Sequence, residues 1–139
     1  MEIRRIRSGE HEAVVEASPL FDSPVDGPTA TRFLDAEGHV LFIAYADEAP
    51  VGFVSGVEMT HPDKGTEMLL YELAVADDAR REGIGSALVT ALRDFASDRG
   101  CYDMWVLTDA DNSAALATYA ASGAGEPSAH VMLTWDLGG

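Results

Sequence analysis

Arg80-x-x-Gly83-x-Gly85-Ser86 is the stretch of this chain best equipped for chemistry. Two glycines lacking Cβ atoms let a ligand come close to the backbone. If a helix opens at Gly83, its first amides have no partners and its dipole favours an anion. Arg80 and Arg81 add positive charge, so the pattern is that of a phosphate site. A Walker A loop needs Gly-x-x-x-x-Gly-Lys-Ser/Thr, and the dinucleotide fingerprint needs a further glycine ahead of Gly83; the chain has neither. Two more groups can move protons. Glu72 is a carboxylate that can accept one, and Tyr119, with an ordinary pKa of about 10, is a neutral donor at pH 7. His11, His39, His61 and His130 are isolated, and no spacing suggests a metal site.

The elements around these residues follow from pattern. An apolar run, Met68–Val75, predicts a strand feeding the acidic turn Asp77-Asp78 and then the glycines. From Gly83 on, Ile84, Ala87, Leu88, Ala91, Leu92, Phe95 and Ala96 recur at helical spacing, one apolar stripe running to Arg99, with Gly100 as a left-handed cap. Tyr102–Thr108 predicts a strand parallel to Met68–Val75, because a helix joins them. Asn112 caps an Ala-rich helix, Ser113–Ser122, that stops at Gly123. Ahead of this block come a strand in Glu2–Arg7, a helix capped by Ser8 and ending near Pro19, and a Pro-rich loop, Leu20–Thr29, carrying Asp22 and Asp26. A short helix capped by Thr29 or Thr31 follows, then a hairpin of His39–Ala46 and Val51–Met59, and a loop over Thr60–Thr66. Gly52 and Gly56 inside a strand mark a bulge or a close backbone approach. Ala129–Leu137 predicts a final strand. The expectation is one domain, 1–139: a mixed α/β sheet, mostly antiparallel, with helices on both faces.

Composition narrows the function. The net charge is −15, from 24 acids against 9 bases, with Lys64 the only lysine. Such a chain repels nucleic acid and anionic membrane and attracts polycations; adaptation of the whole surface to a salty medium explains the same total, and both readings stand open. No window approaches the ~18 apolar residues of a membrane span. No apolar leader core follows the arginines of Met1–Arg7. One cysteine, Cys101, allows no internal disulfide, and a cytoplasmic protein is expected.

The Arg80-x-x-Gly83-x-Gly85 pattern, five residues after Leu73-Ala74-Val75 and ahead of a long amphipathic helix, resembles the acetyl-CoA signature of the GNAT superfamily of N-acetyltransferases. Asn112-x-x-Ala115-x-x-x-Tyr119-x-x-x-Gly123 is similar to a second pattern of that family. Phe42-Ile43-Ala44, Val51-Gly52, and an acid, Glu72, directly before Leu73-Ala74-Val75 resemble the aminoglycoside 3-N-acetyltransferases more closely.

The resemblance implies a parallel strand pair around the cofactor site and acetyl-CoA as acetyl donor. It implies that Arg80, Arg81, Gly83, Ile84, Gly85 and Ser86 hold the pyrophosphate, and that Leu73, Ala74 and Val75 line the pantetheine arm, with the Leu73 amide as oxyanion donor. Asn112, Ala115 and Tyr119 complete the cofactor side. Glu72 is then the base and Tyr119 the acid. By their places in the chain, Asp22 and Asp26 on the Pro-rich loop and Asp109 at the end of the Tyr102–Thr108 strand are the acids expected to border a cationic amine. From the residues alone, Glu72 equally suits a solvated strand position, Tyr119 a packed aromatic and Asn112 a plain helix cap. A peptide, protein or polyamine amine is the alternative acceptor, and a non-catalytic acyl-CoA-binding module the alternative class. The family and the apolar tail strand together imply a possible homodimer.

Overall fold

The computed structural model describes residues 1–139. Five strands form one sheet in the order β1-β2-β3-β4-β5: β1 (Glu2–Ile6), β2 (His39–Ala46), β3 (Ala49–His61), β4 (Gly65–Val75) and β5 (Met104–Trp105). The first four pair antiparallel in chain order, and β5 joins β4 in parallel. The helices are α1 (His11–Glu16), α2 (Gly27–Asp35), α3 (Ile84–Asp98) and α4 (Ser113–Ala121). This is the mixed, mostly antiparallel sheet with helices on both faces that the sequence predicts.

Period-two alternation splits the sheet's side chains between two cores. Val40, Ala44, Val54, Met68 and Leu70 face α3, which contributes Ile84, Leu88, Val89, Leu92 and Ala96. Leu41, Ile43, Tyr45 and Phe53 face α1 and α2, closing over Val14, Ala17 and Ala30. Truncating a fully buried side chain such as Leu88 or Leu92 costs about 2–5 kcal/mol. The strand glycines are close-approach positions: a Cβ on Gly56 would lie 2.9 Å from both Leu92 Cδ1 and Met68 Sδ, and one on Gly52 3.0 Å from the Ala74 carbonyl. Their absence lets α3 lie flat on the sheet.

Several boundaries differ from the sequence reading. The hairpin β3–β4 extends until only Pro62–Lys64 turn it, because Thr60 pairs with Thr66 and His61 with Gly65. Glu67 then accepts hydrogen bonds from His61 and from the Tyr102 hydroxyl, tying the hairpin tip to the approach to β5. Ser8 does not cap α1; its hydroxyl donates to Asp35, and α1 opens at Glu10 without a side-chain cap. Asp26, not Thr29 or Thr31, caps α2.

The largest difference is the tail. Ala129–Leu137 forms no strand. The chain leaves α4 at Gly123 in the left-handed region (φ +100), and the hydrogen bonds of residues beyond Ala124 are local, Ser128 with His130 and Gly138 with Asp136. The alternating pattern is real, but a strand exists only where its backbone joins a ladder, and these residues pair with no strand of the sheet. No helix is long and apolar enough to cross a membrane.

Candidate active site

The site starts from a slip in register. Ser55 stands opposite Glu72, but the next residue, Gly56, stands opposite Leu70, leaving Tyr71 unopposed as a bulge on β4. On the other side of β4, β5 pairs only at Met68↔Met104 and Leu69↔Trp105. Beyond Leu69 the two parallel strands separate. Leu70–Val75 therefore keeps β3 on one side, as far as Gly52↔Val75, and has no strand on the other. An unpaired stretch of strand interior to a sheet is a ready partner for an extended amide chain.

That open edge leads into the phosphate-type turn. A short 3-10 turn, Asp77–Ala79, carries the chain to Arg80, and Gly83 at φ +78 is the N-cap of α3. No side chain caps this helix, and its first intrahelical bond is Ala87 N–H to the Gly83 carbonyl. The Ile84, Gly85 and Ser86 amides thus lie ahead of the hydrogen-bonded ladder, at the positive end of a fifteen-residue helix. Arg81 also sits at positive φ (+68) and is exposed. Arg80 folds back on its own turn, pairing with Asp77 at 3.0 Å and donating from Nε to the Val75 carbonyl at 3.4 Å. The two glycines differ. A Cβ on Gly83 would meet open space, so its backbone conformation is what calls for glycine. A Cβ on Gly85 would lie 3.2 Å from Thr118 Cγ2 on α4. Gly85 is therefore a packing contact between the N-terminus of α3 and α4, a role its motif position did not suggest.

Tyr119 packs against the α3-side core and lines a cavity of about 230 Å³ with Leu70, Val89, Met104, Trp105 and Val106. Burial raises its pKa above the ordinary 10.0, so it holds its proton at neutral pH. It is both a packed aromatic and a placed donor. The Asn112 side chain accepts from the Ala115 amide at 3.1 Å, the cap that starts α4 and sets the position of Tyr119 along it.

Glu72 lies on the opposite face of the sheet, the one shared by Phe53 and Ala74. Glu72 is an exposed residue whose carboxyl is only partly desolvated; that desolvation raises its pKa from the ordinary 4.5, and the negative charge of Asp22 adds to it. Asp22 follows a 3-10 turn, Ser18–Leu20, whose neighbour Phe21 stacks on Phe53 at 4.0 Å between ring centres. That stacking brings the loop over β3 and β4, and so Asp22 towards Glu72. Asp26 caps α2: its carboxylate accepts from the Thr29 amide at 2.8 Å, and that bond holds its pKa down. Asp109 is exposed in the β5–α4 connection, its carbonyl accepting from the Asn112 amide. Ser55, which the sequence reading passed over, is buried at 4 % exposure with its Oγ unpartnered, directly across from Glu72. Its one sequence signal is a hydroxyl inside the apolar run Phe53–Val57. No group of three or more His, Cys, Asp or Glu side chains is arranged to hold a metal ion.

Comparison with known proteins agrees with this geometry. Residues 2–124 match the acetyltransferase (GNAT) family. N-acetyltransferase 8B of Rattus norvegicus is 32 % identical over 92 residues, covering 66 % of this chain and 41 % of its own length. Mycothiol acetyltransferase of Rhodococcus erythropolis is 30 % identical over 125 residues, 85 % of this chain and 40 % of its own. The chain thus spans about two fifths of the length of the curated relatives it matches. Among solved structures, an aminoglycoside acetyltransferase from an uncultured soil metagenomic sample, in complex with sisomicin, superposes with a TM-score of 0.85 at 22 % identity, covering 97 % of this chain and 96 % of that one. Aminoglycoside N-acetyltransferase AAC(6')-Iy in complex with CoA superposes at 0.78 and 20 % identity, covering 96 % and 93 %. The separating β4–β5 pair above an uncapped helix start, with Asn112, Tyr119 and Gly123 following in register, belongs to a chain of the acetyltransferase (GNAT) family.

Proposed function

We propose that this chain is an acetyl-CoA-dependent N-acetyltransferase acting on an amine of a small polycationic acceptor, an aminoglycoside of the 3-N type being the finer reading. The observation that carries it is the open edge of β4, Leu70–Val75, running into the uncapped N-terminus of α3. A chain of amides ending in phosphates fits that pair of features. Bound acetyl-CoA supplies an acetyl group activated as a thioester. The Ile84, Gly85 and Ser86 amides hold the pyrophosphate, with Arg81 adding charge and Arg80 bracing the turn. The Leu73 amide donates to the thioester oxygen as it gains charge. Glu72 takes the proton of the incoming ammonium, its raised pKa bringing it nearer neutral pH. Tyr119 protonates the departing sulfur. A cationic acceptor lies between Glu72 and Asp22. The 3-N assignment draws on Glu72 standing directly before Leu73-Ala74-Val75.

The test is thiol release from acetyl-CoA in the presence of aminoglycosides, polyamines, peptide N-termini and simple monoamines, with the position of acetylation read by mass spectrometry. Turnover with a polyamino sugar at its 3-amine supports the whole reading. Acetylation at another amine removes the 3-N assignment. Turnover with peptide alone moves the acceptor to that class. Tight acetyl-CoA binding without turnover on any amine overturns the enzyme reading in favour of a binding module.

A further inference from the structure

Ser55 is a hydroxyl set among apolar neighbours. On β2 it stands opposite Leu41, and on β4 opposite Glu72. Along β3 the residues sharing its face are Phe53 and Val57. Leu41 and Phe53 are each 1 % exposed and belong to the core under α1 and α2. Glu72 is therefore the one polar side chain among these four. Ser55 itself is 4 % exposed, and its Oγ has no hydrogen-bond partner. Buried hydroxyls are nearly always partnered, and alanine would pack here without the unpaired group. Directly opposed strand residues carry their Cβ atoms about 4.5–5.5 Å apart. A glutamate side chain is long enough to swing its carboxylate across that gap. A change of rotamer at Glu72 therefore brings one Oε within bonding distance of the Ser55 Oγ while the backbone stays in place.

We propose that Ser55 is a positioning residue for Glu72: once an amine covers the site, the Ser55 Oγ–H donates to one carboxylate oxygen of Glu72, and the other oxygen takes the proton from the ammonium. The role rests on the reading of Glu72 as the base. In the transfer one N–H bond breaks and one O–H bond forms on Glu72. The electron pair stays on the nitrogen, which becomes the nucleophile, and the Ser55 proton stays on Oγ. Ser55 touches neither substrate nor cofactor and acts only through the carboxylate. In the free chain an exposed carboxylate is solvated and has no need of Oγ. A bound acceptor displaces that water, and a carboxylate left without donors is costly. Oγ is the protein donor placed to replace it, and a hydrogen bond to a charged oxygen is a strong one. The charged groups around the pair are few. Asp22 faces Glu72 from the loop after the Ser18–Leu20 turn, and no cation acts on it. Glu10 and Glu16, at α1, act on Tyr45 at the β1–β2 end. His61, Glu67 and Asp103, towards the β3–β4 tip, act on one another.

Rates measured against pH, under conditions where chemistry limits them, test the role. The profile of kcat/KM reports the free chain and that of kcat the chain with substrate bound. A donor to the charged form lowers a carboxyl's pKa, so losing it raises the bound value. In Ser55→Ala the acid limb of kcat should therefore move to higher pH by about one unit, the scale of one hydrogen bond to a charged group. The acid limb of kcat/KM should stay in place. The plateau of kcat should fall roughly ten-fold as the carboxylate loses its orientation. Ser55→Thr, which keeps the hydroxyl, should restore both limb and plateau. In a Glu72→Gln background, Ser55→Ala should change kcat by less than about two-fold, because the hydroxyl acts through that carboxylate. Where the threonine methyl does not fit, this cycle decides alone. A Ser55→Ala profile that superposes on the wild type overturns the role, as does a loss that persists without the Glu72 carboxylate. A wild type that turns over no amine removes Glu72 as the base and the role of Ser55 with it, whereas turnover with superposed profiles removes Ser55 only.

Discussion

Ser55 and Glu72 face each other across β3 and β4 at the step where the register slips, the serine buried with an unpartnered hydroxyl and the glutamate exposed with its carboxyl raised from its ordinary value. Each carries a cost that packing alone would not select. A buried unpaired hydroxyl costs about 1–3 kcal/mol. A carboxyl whose folded pKa is raised contributes stability below its unfolded value, ordinarily 4.5, and loses it as pH rises through the folded value.

Glu72→Gln should therefore stabilise the fold at neutral pH and leave it unchanged below pH ~4.5, where both forms are neutral. The same substitution should lower kcat/KM, with a loss that shrinks at high pH as free amine replaces ammonium. Melting temperature and rate measured on one pH series check both halves. Ser55→Ala should raise stability by about 1 kcal/mol in denaturant titration.

Tyr119→Phe keeps the ring against Leu70, Val89 and Met104 and removes only the hydroxyl. Its kcat should fall by about 10²-fold or more, the scale of general acid catalysis, with acetyl-CoA affinity little changed. Full turnover where chemistry limits the rate would leave Tyr119 a packing residue.

The two glycines of the turn should separate. Gly83→Ala puts a side chain at φ +78, a cost of about 1–2 kcal/mol, and no second substitution relieves it because its Cβ meets nothing. Gly85→Ala drives a methyl against Thr118 Cγ2, and Thr118→Ser, which removes that atom, should restore most of the lost stability. A double-mutant cycle in urea reads the coupling. Both glycine substitutions should weaken acetyl-CoA binding by calorimetry.

With Asp22 beside Glu72 and a chain at −15, a polycationic acceptor should show a KM that rises with ionic strength, as the Debye length shortens from about 10 Å at 0.1 M to about 3 Å at 1 M salt. A monoamine should show a much smaller change. Activity that holds or improves in salt for both would assign the charge to the protein's medium.

What sequence could and could not announce divides along physical lines. The strand–turn–helix at Met68–Asp98, the stripe of Ile84, Leu88 and Leu92, and the Asn112 cap are local, written in spacing and residue type. The bulge at Tyr71 is relational. It exists only because Gly56 meets Leu70 after Ser55 has met Glu72, and no property of Tyr71 itself declares it. Ser55 became visible as a site neighbour for the same reason. Asp26 caps α2 through its bond from the Thr29 amide, a role its letter alone does not announce, since a capping aspartate and an uncommitted one read alike. Gly85 packs on Thr118, over thirty positions away. Ala129–Leu137 has the periodicity of a strand, and periodicity specifies a face, not a neighbour.

The open edge of β4 has a consequence for lifetime in the cell. A sheet whose last two strands are joined at only two positions is held at that end by little backbone bonding. A pantetheine arm laid along Leu70–Val75 would supply missing rungs, so the ligand would act as a removable strand. By mass action a ligand at 100 times its Kd adds about 2.7 kcal/mol to stability, a sizeable fraction of the 5–15 kcal/mol that keeps a domain folded. Protease resistance would then follow the acetyl-CoA pool. Chains made while that ligand is scarce would be cleared first, so the protein's abundance would rise and fall with the concentration of whatever fills the edge.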